Sequence, residues 1–307
     1  MRHGVIGAIV AVVLFGAGSL LGAEQGVAKS LVEADWLATR LGSSNLVVLD
    51  IRNRIDGGSR EVFAKGHIPG AVYSDYLGDG WRSARDGVPG MLPPIADLEK
   101  LIGGLGIGND AHVVIVPGGV SAVDYGSATR VFWTFKVLGH DKVSILDGGY
   151  KGWTADAKRP VTSGPSNPQA VSFRADFQRH LLATREDVTA ALKNKTSLID
   201  NRPPEQYSGQ KKHAKAARAG TIPGAVNIPQ DKFFDAASGR FAGRSDVATL
   251  WNGQSVAEDA EQIAFCNTGH WASLGWFASY ALLGNSKARM YDGSMTQWTA
   301  DQNAPVQ

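Results

Sequence analysis

Cysteine is almost absent from this sequence: Cys266 is the single one in 307 residues. One thiol cannot close an internal disulfide, so nothing in the chain is stapled covalently. Net charge is also scarce. Lys and Arg number 31 against 29 Asp and Glu, a formal balance of +2. A balance that small gives no ground for a general nucleic-acid or membrane role. The sequence isoelectric point near 8.6 does not alter this. Apolar residues, at 43%, are plentiful enough for real cores. The length allows two domains of ordinary size.

The N-terminal end stands apart. Arg2 and His3 precede an uncharged run from Gly4 to Ala23, and Glu24 follows. A short basic start, an apolar stretch and small residues at Gly22 and Ala23 describe a secretory signal over 1–23. Leu21 fits the small-x-small cleavage rule imperfectly. The run is ~20 residues, so it also suits an uncleaved membrane anchor. The many Gly and Ala residues that dilute the run favour cleavage. On either reading the folded part is exported, periplasmic or secreted, and a lone thiol there is exposed to oxidation.

Along the chain, Ser30-Leu31-Val32-Glu33 has capping-box spacing and predicts a helix to about Leu41. Leu46 to Asp50 is a buried-strand pattern ending in an acid. Gly66-His67-Ile68-Pro69-Gly70-Ala71-Val72 is a turn into a short strand. Ile95 to Gly104 reads as helix, His112 to Pro117 as strand, Ala128 to Leu138 as helix and Val143 to Asp147 as strand, before Gly148-Gly149-Tyr150-Lys151-Gly152-Trp153. The stretch 156–170 is rich in Pro, Ser and Gly and marks a linker between domains at 27–155 and 171–307.

Beyond it the order repeats. Thr184-Arg185-Glu186-Asp187 is a second capping box, Ser197 to Asp200 a second strand ending in Asp, and Gly220-Thr221-Ile222-Pro223-Gly224-Ala225-Val226 a second copy of the turn. Ile263 to Cys266 matches His112 to Pro117, and Tyr291-Asp292-Gly293-Ser294 matches Leu146-Asp147-Gly148-Gly149. Gly70 to Pro117 spans 47 positions and Gly224 to Cys266 spans 42; Pro117 to Asp147 spans 30 and Cys266 to Asp292 spans 26. A period near 150 residues is domain duplication rather than a solenoid. Alternating strands and helices imply two α/β domains, each with a mostly parallel sheet flanked by helices. Ligands of such sheets sit beyond the carboxyl ends of the strands.

Cys266 lies at such an end. Ile263-Ala264-Phe265 leads into it, a loop through Gly269 follows, and an apolar segment continues to Leu283. Backbone N–H groups of a loop of this kind can turn toward the sulfur, aided by the positive end of the next helix. A thiol ionises near ~8.5, and electropositive surroundings bring that to roughly 3.5–7.5. A lone cysteine is also commonly a small buried hydrophobe. The repeat separates these readings, because the first half carries Pro117 at the same place, with neither nucleophile nor N–H. The first half is expected to be catalytically silent.

The motifs GHIPGAV at 66–72, GTIPGAV at 220–226 and CNTGHW at 266–271, with the closing DGG…W and DGS…W patterns, resemble the tandem-domain rhodanese family, the thiosulfate and 3-mercaptopyruvate sulfurtransferases. The resemblance covers roughly Val27 to Thr299. It implies two rhodanese-like domains with activity in the second, Cys266 as nucleophile, and a six-residue active loop with Gly269 in fourth place. Family loops often have a hydroxyl residue where this chain has Trp271. Asn267 and Thr268 replace the basic residues of thiosulfate-preferring members, and Thr221 replaces the turn histidine that His67 supplies in the first half.

The implied chemistry is covalent. The Cys266 thiolate takes the outer sulfur of a small-molecule donor, thiosulfate or 3-mercaptopyruvate, and a cyanide or thiol acceptor removes it. No metal, cofactor or nucleic acid is required. The N–H groups of Asn267, Thr268, Gly269, His270 and Trp271 would stabilise the anions. Arg202 would hold the donor oxyanion, or else pair with Asp200 or Glu205 to order its loop. His270 either tunes the thiol or contacts the donor, or else faces solvent on the first turn of the helix. Lys211, Lys212, Lys215 and Arg218, beside His213, form a solvated loop or steer anions. Trp271 and Trp276 read as core or wall. A cysteine phosphatase needs C-x5-R, but Ala272 stands six positions after Cys266. The same thiol would also serve a non-catalytic exported sulfur carrier that uses the persulfide, or sit inert inside a structural module.

Overall fold

The computed structural model describes residues 28–307 together with Met1. The expected export segment at 1–23 lies outside the described residues. Among those described, no helix is long and apolar enough to cross a membrane.

In the first half the apolar runs become strands β1 (Leu31–Val32), β2 (Leu46–Asp50) and β3 (Val72–Tyr73), a hairpin of β4 (Ser83–Arg85) and β5 (Val88–Met91), then β6 (His112–Val116) and β7 (Val143–Leu146). Apart from the hairpin they form one sheet, β1-β7-β6-β2-β3, in which every pair is parallel. Parallel neighbours need crossovers, supplied by helices α1 (Ala34–Ala38), α2 (Arg60–Lys65), α3 (Ile95–Gly104), α4 (Ala122–Val137) and α5 (Gly149–Thr154).

The second half repeats the plan. Its strands are β8 (Leu182–Ala183), β9 (Ser197–Asp200), β10 (Val226–Asn227), the hairpin β11 (Phe234–Asp235) and β12 (Arg240–Phe241), β13 (Gln262–Phe265) and β14 (Ala288–Tyr291). Its sheet order, β8-β14-β13-β9-β10, matches the first position by position and is again all parallel. The helices are α6 (Arg185–Ala191), α7 (Pro204–Tyr207), α8 (Arg244–Gly253), α9 (Ala272–Phe277) and α10 (Ser294–Ala300). Central strands β6 and β13 are apolar throughout after His112 and Gln262 because helices cover both faces of each sheet.

The halves are joined through α4. All its residues except Val123 are buried, an arrangement open only to a helix packed on every side. Phe132 meets Phe277 edge-on at 4.9 Å, and the Thr129 and Ser273 hydroxyls are 2.7 Å apart. One apolar cluster runs unbroken from Leu49 and Ile115 through Phe132 to Cys266, Trp276 and Met290. This continuity brings residues of the first half to the second half's loop.

Local expectations meet two outcomes. The capping box at Thr184 forms: its hydroxyl accepts from Asp187 N–H at 3.3 Å, and the Asp187 carboxylate accepts from Thr184 N–H at 2.7 Å. The one at Ser30 does not. Leu31 and Val32 pair with β7 instead, so the helix starts at Ala34. The helix expected from Ala128 starts earlier, at Ala122, because Ser121 caps it by accepting from Asp124 N–H at 3.1 Å. Past Phe277 the helix loosens into a wider π turn, Ala278–Leu283, ending at left-handed Gly284.

Candidate active site

Cys266 follows β13 at the carboxyl edge of the second sheet. It is almost wholly buried, yet it lines a cavity of about 200 Å³ with Asn267, Thr268, His270, Trp271 and His213. Three further wall residues, Ile55, Arg82 and Val123, come from the first half. A larger cleft, about 890 Å³, lies between the β4–β5 hairpin and α6 and α10, but Cys266 does not line it. The smaller cavity is the candidate site, because the one thiol of the sequence lines it.

The loop is defined by where its peptide groups are bonded. Every carbonyl from Cys266 to His270 has a donor. Cys266 O accepts from Met295 N–H at 3.0 Å and Asn267 O from Thr296 N–H at 3.0 Å. Thr268 O accepts from Arg82, Gly269 O from Arg130 at 3.2 Å, and His270 O from the Ser273 hydroxyl at 2.7 Å. Two N–H groups are also used: Cys266 and Gly269 donate to Ser294 Oγ at 3.0 and 3.2 Å. Among the described residues no acceptor takes the N–H groups of Asn267, Thr268, His270 or Trp271. Those four residues line the cavity, so four N–H groups with no acceptor among the described residues belong to its wall.

Two backbone positions make this possible. Gly269 has φ +75°, and a Cβ there would lie 2.5 Å from Arg130 Nη1 and 2.7 Å from Asp292 O. Ser294 holds φ +50° without being glycine. Its hydroxyl offsets that strain by accepting both loop N–H groups and donating to Tyr291 O at 2.8 Å.

His270 is not on a solvated face. Its Nε2 is 2.8 Å from Val123 O and its Nδ1 2.8 Å from Tyr76 Oη. A carbonyl only accepts, so Nε2 carries the proton and Nδ1 accepts from the Tyr76 hydroxyl. Burial, with the Arg82 and Arg130 charges behind it, lowers the imidazole to about 3. His270 is therefore a neutral strut between the halves, not a cation beside the thiol.

Arg202 does not line the cavity. Its Nε lies 2.9 and 3.1 Å from the two Asp200 oxygens, and Nη2 donates to Gly220 O at 2.9 Å. Of the two readings of Arg202, the geometry favours the loop-ordering pair. Arg52 does the same in the first half, on Asp50 and on Gly66 O. The cation that does line the cavity is Arg82. Asn267 Nδ2 donates to Gln206 Oε1 at 2.8 Å, and Thr268 and Trp271 are half-buried at the cavity wall. Of the basic segment only His213 reaches the cavity. Lys212 donates to Ala216 O, and Arg218 to Asp301 O and Ala304 O. Trp276 is core, stacked on Tyr280 at 4.6 Å. His67 stacks on Phe63 at 3.8 Å, with Nδ1 donating to Phe63 O at 2.9 Å.

The matching loop of the first half is filled from within. The N–H groups of Gly118, Gly119 and Val120 donate to the Asp124 carboxylate at 3.0, 2.6 and 3.0 Å. Burial, then the neighbouring Asp124 charge, pushes the Asp56 carboxyl beside it up to about 7.

The rhodanese-like domain model matches the chain twice, over residues 33–156 and 184–301. The thiosulfate sulfurtransferase of Rattus norvegicus is 34% identical over 281 residues, covering 88% of this chain and 92% of the relative. The thiosulfate sulfurtransferase of Gallus gallus is 32% identical over 283 residues, 90% and 95% of the two chains. Among solved structures, SseA from Escherichia coli, a 3-mercaptopyruvate sulfurtransferase, superposes with TM-score 0.74 at 26% identity, over 87% of this chain and 98% of its own. The chain belongs to the rhodanese family and carries that family's domain in tandem.

Proposed function

We propose that this protein is a sulfurtransferase that carries sulfur as a persulfide on Cys266, with thiosulfate or 3-mercaptopyruvate as donor. In the first step the Cys266 thiolate attacks the outer sulfur of thiosulfate. The S–S bond of the donor breaks, sulfite leaves with the bonding pair, and a cysteine persulfide remains. In the second step cyanide or a thiolate attacks the terminal sulfur, leaving thiocyanate or a new persulfide and returning the Cys266 thiolate. Electrons balance within each step, so no external oxidant is needed.

The observation that carries this reading is that five successive loop carbonyls are bonded, while four N–H groups of residues lining the cavity have no acceptor among the described residues. Such donors favour a thiolate, a persulfide anion and the developing charge of the transferred sulfur alike. Arg82 at the wall is the fixed cation for an anionic donor. The first half's own loop carries no chemistry, since Pro117 replaces the thiol and Asp124 occupies the equivalent donors, so this half serves the site only through the wall residues it lends, Arg82 among them. We further propose that the protein works in the periplasm or outside the cell, a reading supported by the composition of residues 1–23.

The test is turnover with thiosulfate and with 3-mercaptopyruvate, each against cyanide, for the native protein and Cys266→Ser. Thiocyanate production that continues over many cycles and vanishes in Cys266→Ser supports the proposal. Absence of turnover with both donors removes it.

A further inference from the structure

The thiol-less half places one buried cation against the active loop. Arg130, on α4, is fully buried, and its Nη1 lies 2.6 Å from Asp292 Oδ1 across the domain boundary. The same guanidinium donates to Gly269 O in the active loop and to Gly90 O in β5, each at 3.2 Å, and lies 4.7 Å over the Trp133 ring. Asp292 in turn accepts from Leu92 N–H. It also opens the turn that carries Ser294, whose hydroxyl holds the N–H groups of Cys266 and Gly269. Arg130 thus joins three separate segments whose relative placement fixes the loop peptides. The close approach needs glycine at 269.

We infer that Arg130 is a positioning residue for the Cys266 chemistry, fixing from the other domain the orientation of the Gly269 peptide and of the Asp292–Ser294 turn. This rests on the sulfur-transfer reading above. Arg130 does not line the cavity, so it acts on the loop and not on the donor. The thiol-less half contributes a working part here, which gives duplication a use beyond packing. A peptide plane released by Arg130 can rotate its carbonyl toward the chamber, and misplacement of about 1 Å in such a site costs about a hundredfold in rate.

The experiment compares the native protein with Arg130→Lys and with the double variant Arg130→Met/Asp292→Asn. The double variant leaves no unpaired buried charge, and the amide that replaces the Asp292 carboxylate retains an oxygen for Leu92 N–H. The expected result is a fall in kcat of about tenfold to a hundredfold. KM for thiosulfate should stay within about twofold, and thermal midpoints should remain near native. Arg130→Lys keeps the charge opposite Asp292 but cannot span Gly269 and Gly90 together, so it should recover only part of kcat. Native kcat in a folded double variant overturns the inference. If that variant does not fold, native kcat in Arg130→Lys overturns it, whereas lowered kcat at unchanged KM supports it. The alkylation rate of Cys266 by iodoacetamide is read in parallel and needs no sulfur donor. If the native protein transfers no sulfur, the proposed function fails, while equal alkylation rates in native and variant protein still refute the positioning role and a slowed variant still supports it.

Discussion

Replacement of Ser294 isolates the role of one hydroxyl in the active loop. That oxygen accepts from Cys266 and Gly269 N–H and donates to Tyr291 O, all buried. Ser294→Ala strands two buried donors, at ~1–3 kcal/mol each. It also keeps a Cβ at φ +50°, so the backbone strain remains. The expected loss is ~2–6 kcal/mol. Ser294→Gly strands the same donors but relieves strain of ~1 kcal/mol, so it should be the more stable of the two. In domains of this size each kcal/mol moves the thermal midpoint by ~2–4 °C, which makes the order readable. Denaturant unfolding gives the stabilities, and single-turnover loading of Cys266 by thiosulfate gives the functional arm. Both variants should load slowly, because the N–H groups of Cys266 and Gly269 have lost their anchor. Native stability and native loading in both would refute the argument. An alanine variant more stable than the glycine variant would refute the strain component alone.

Arg82→Met should raise KM for anionic donors and lower kcat/KM by about tenfold to a hundredfold. Because Arg82 also holds Thr268 O, alkylation by neutral iodoacetamide should slow too, but by less than the loss in kcat/KM for the anionic donor, and an equal loss in both assays would contradict the cation's assignment. Asp56 is raised to about 7 in the folded chain from an ordinary 3.8. Between those values the folded state holds the extra proton, so stability falls as pH rises through that window and is fully lowered above it. Asp56→Asn should flatten that fall and stabilise the protein at pH 8 by ~1–2 kcal/mol, discounted because the carboxyl is partly solvated. Parallel stability–pH curves for native and variant protein would contradict it.

The two sheets were legible because parallel strands covered on both faces leave long apolar runs, such as Leu46–Asp50 and Ile263–Phe265. Cys266 was legible through the duplication, since its counterpart is proline. The failures have physical causes. Ser30 satisfies a capping pattern, but pairing of Leu31 and Val32 with β7 outweighs a local cap. Arg202 is a different case: the sequence leaves open an oxyanion holder or a loop-ordering pair, the pair with Asp200 is what forms, and the repeat held the hint, since Asp50-x-Arg52 does the same in a half with no thiol. Arg82, Tyr76 and Arg130 reach the active loop across 139 to 194 positions of sequence, through docking that no local pattern encodes. Ser294 left a trace, because it replaces Gly149 at a left-handed position the two halves share.

The most direct test of the central claim is the intact mass of the protein after thiosulfate and again after cyanide. Cys266 should gain one sulfur, lose it to cyanide and repeat the cycle many times. A chain that stays unloaded with both thiosulfate and 3-mercaptopyruvate, or that loads once and never turns over, would contradict it.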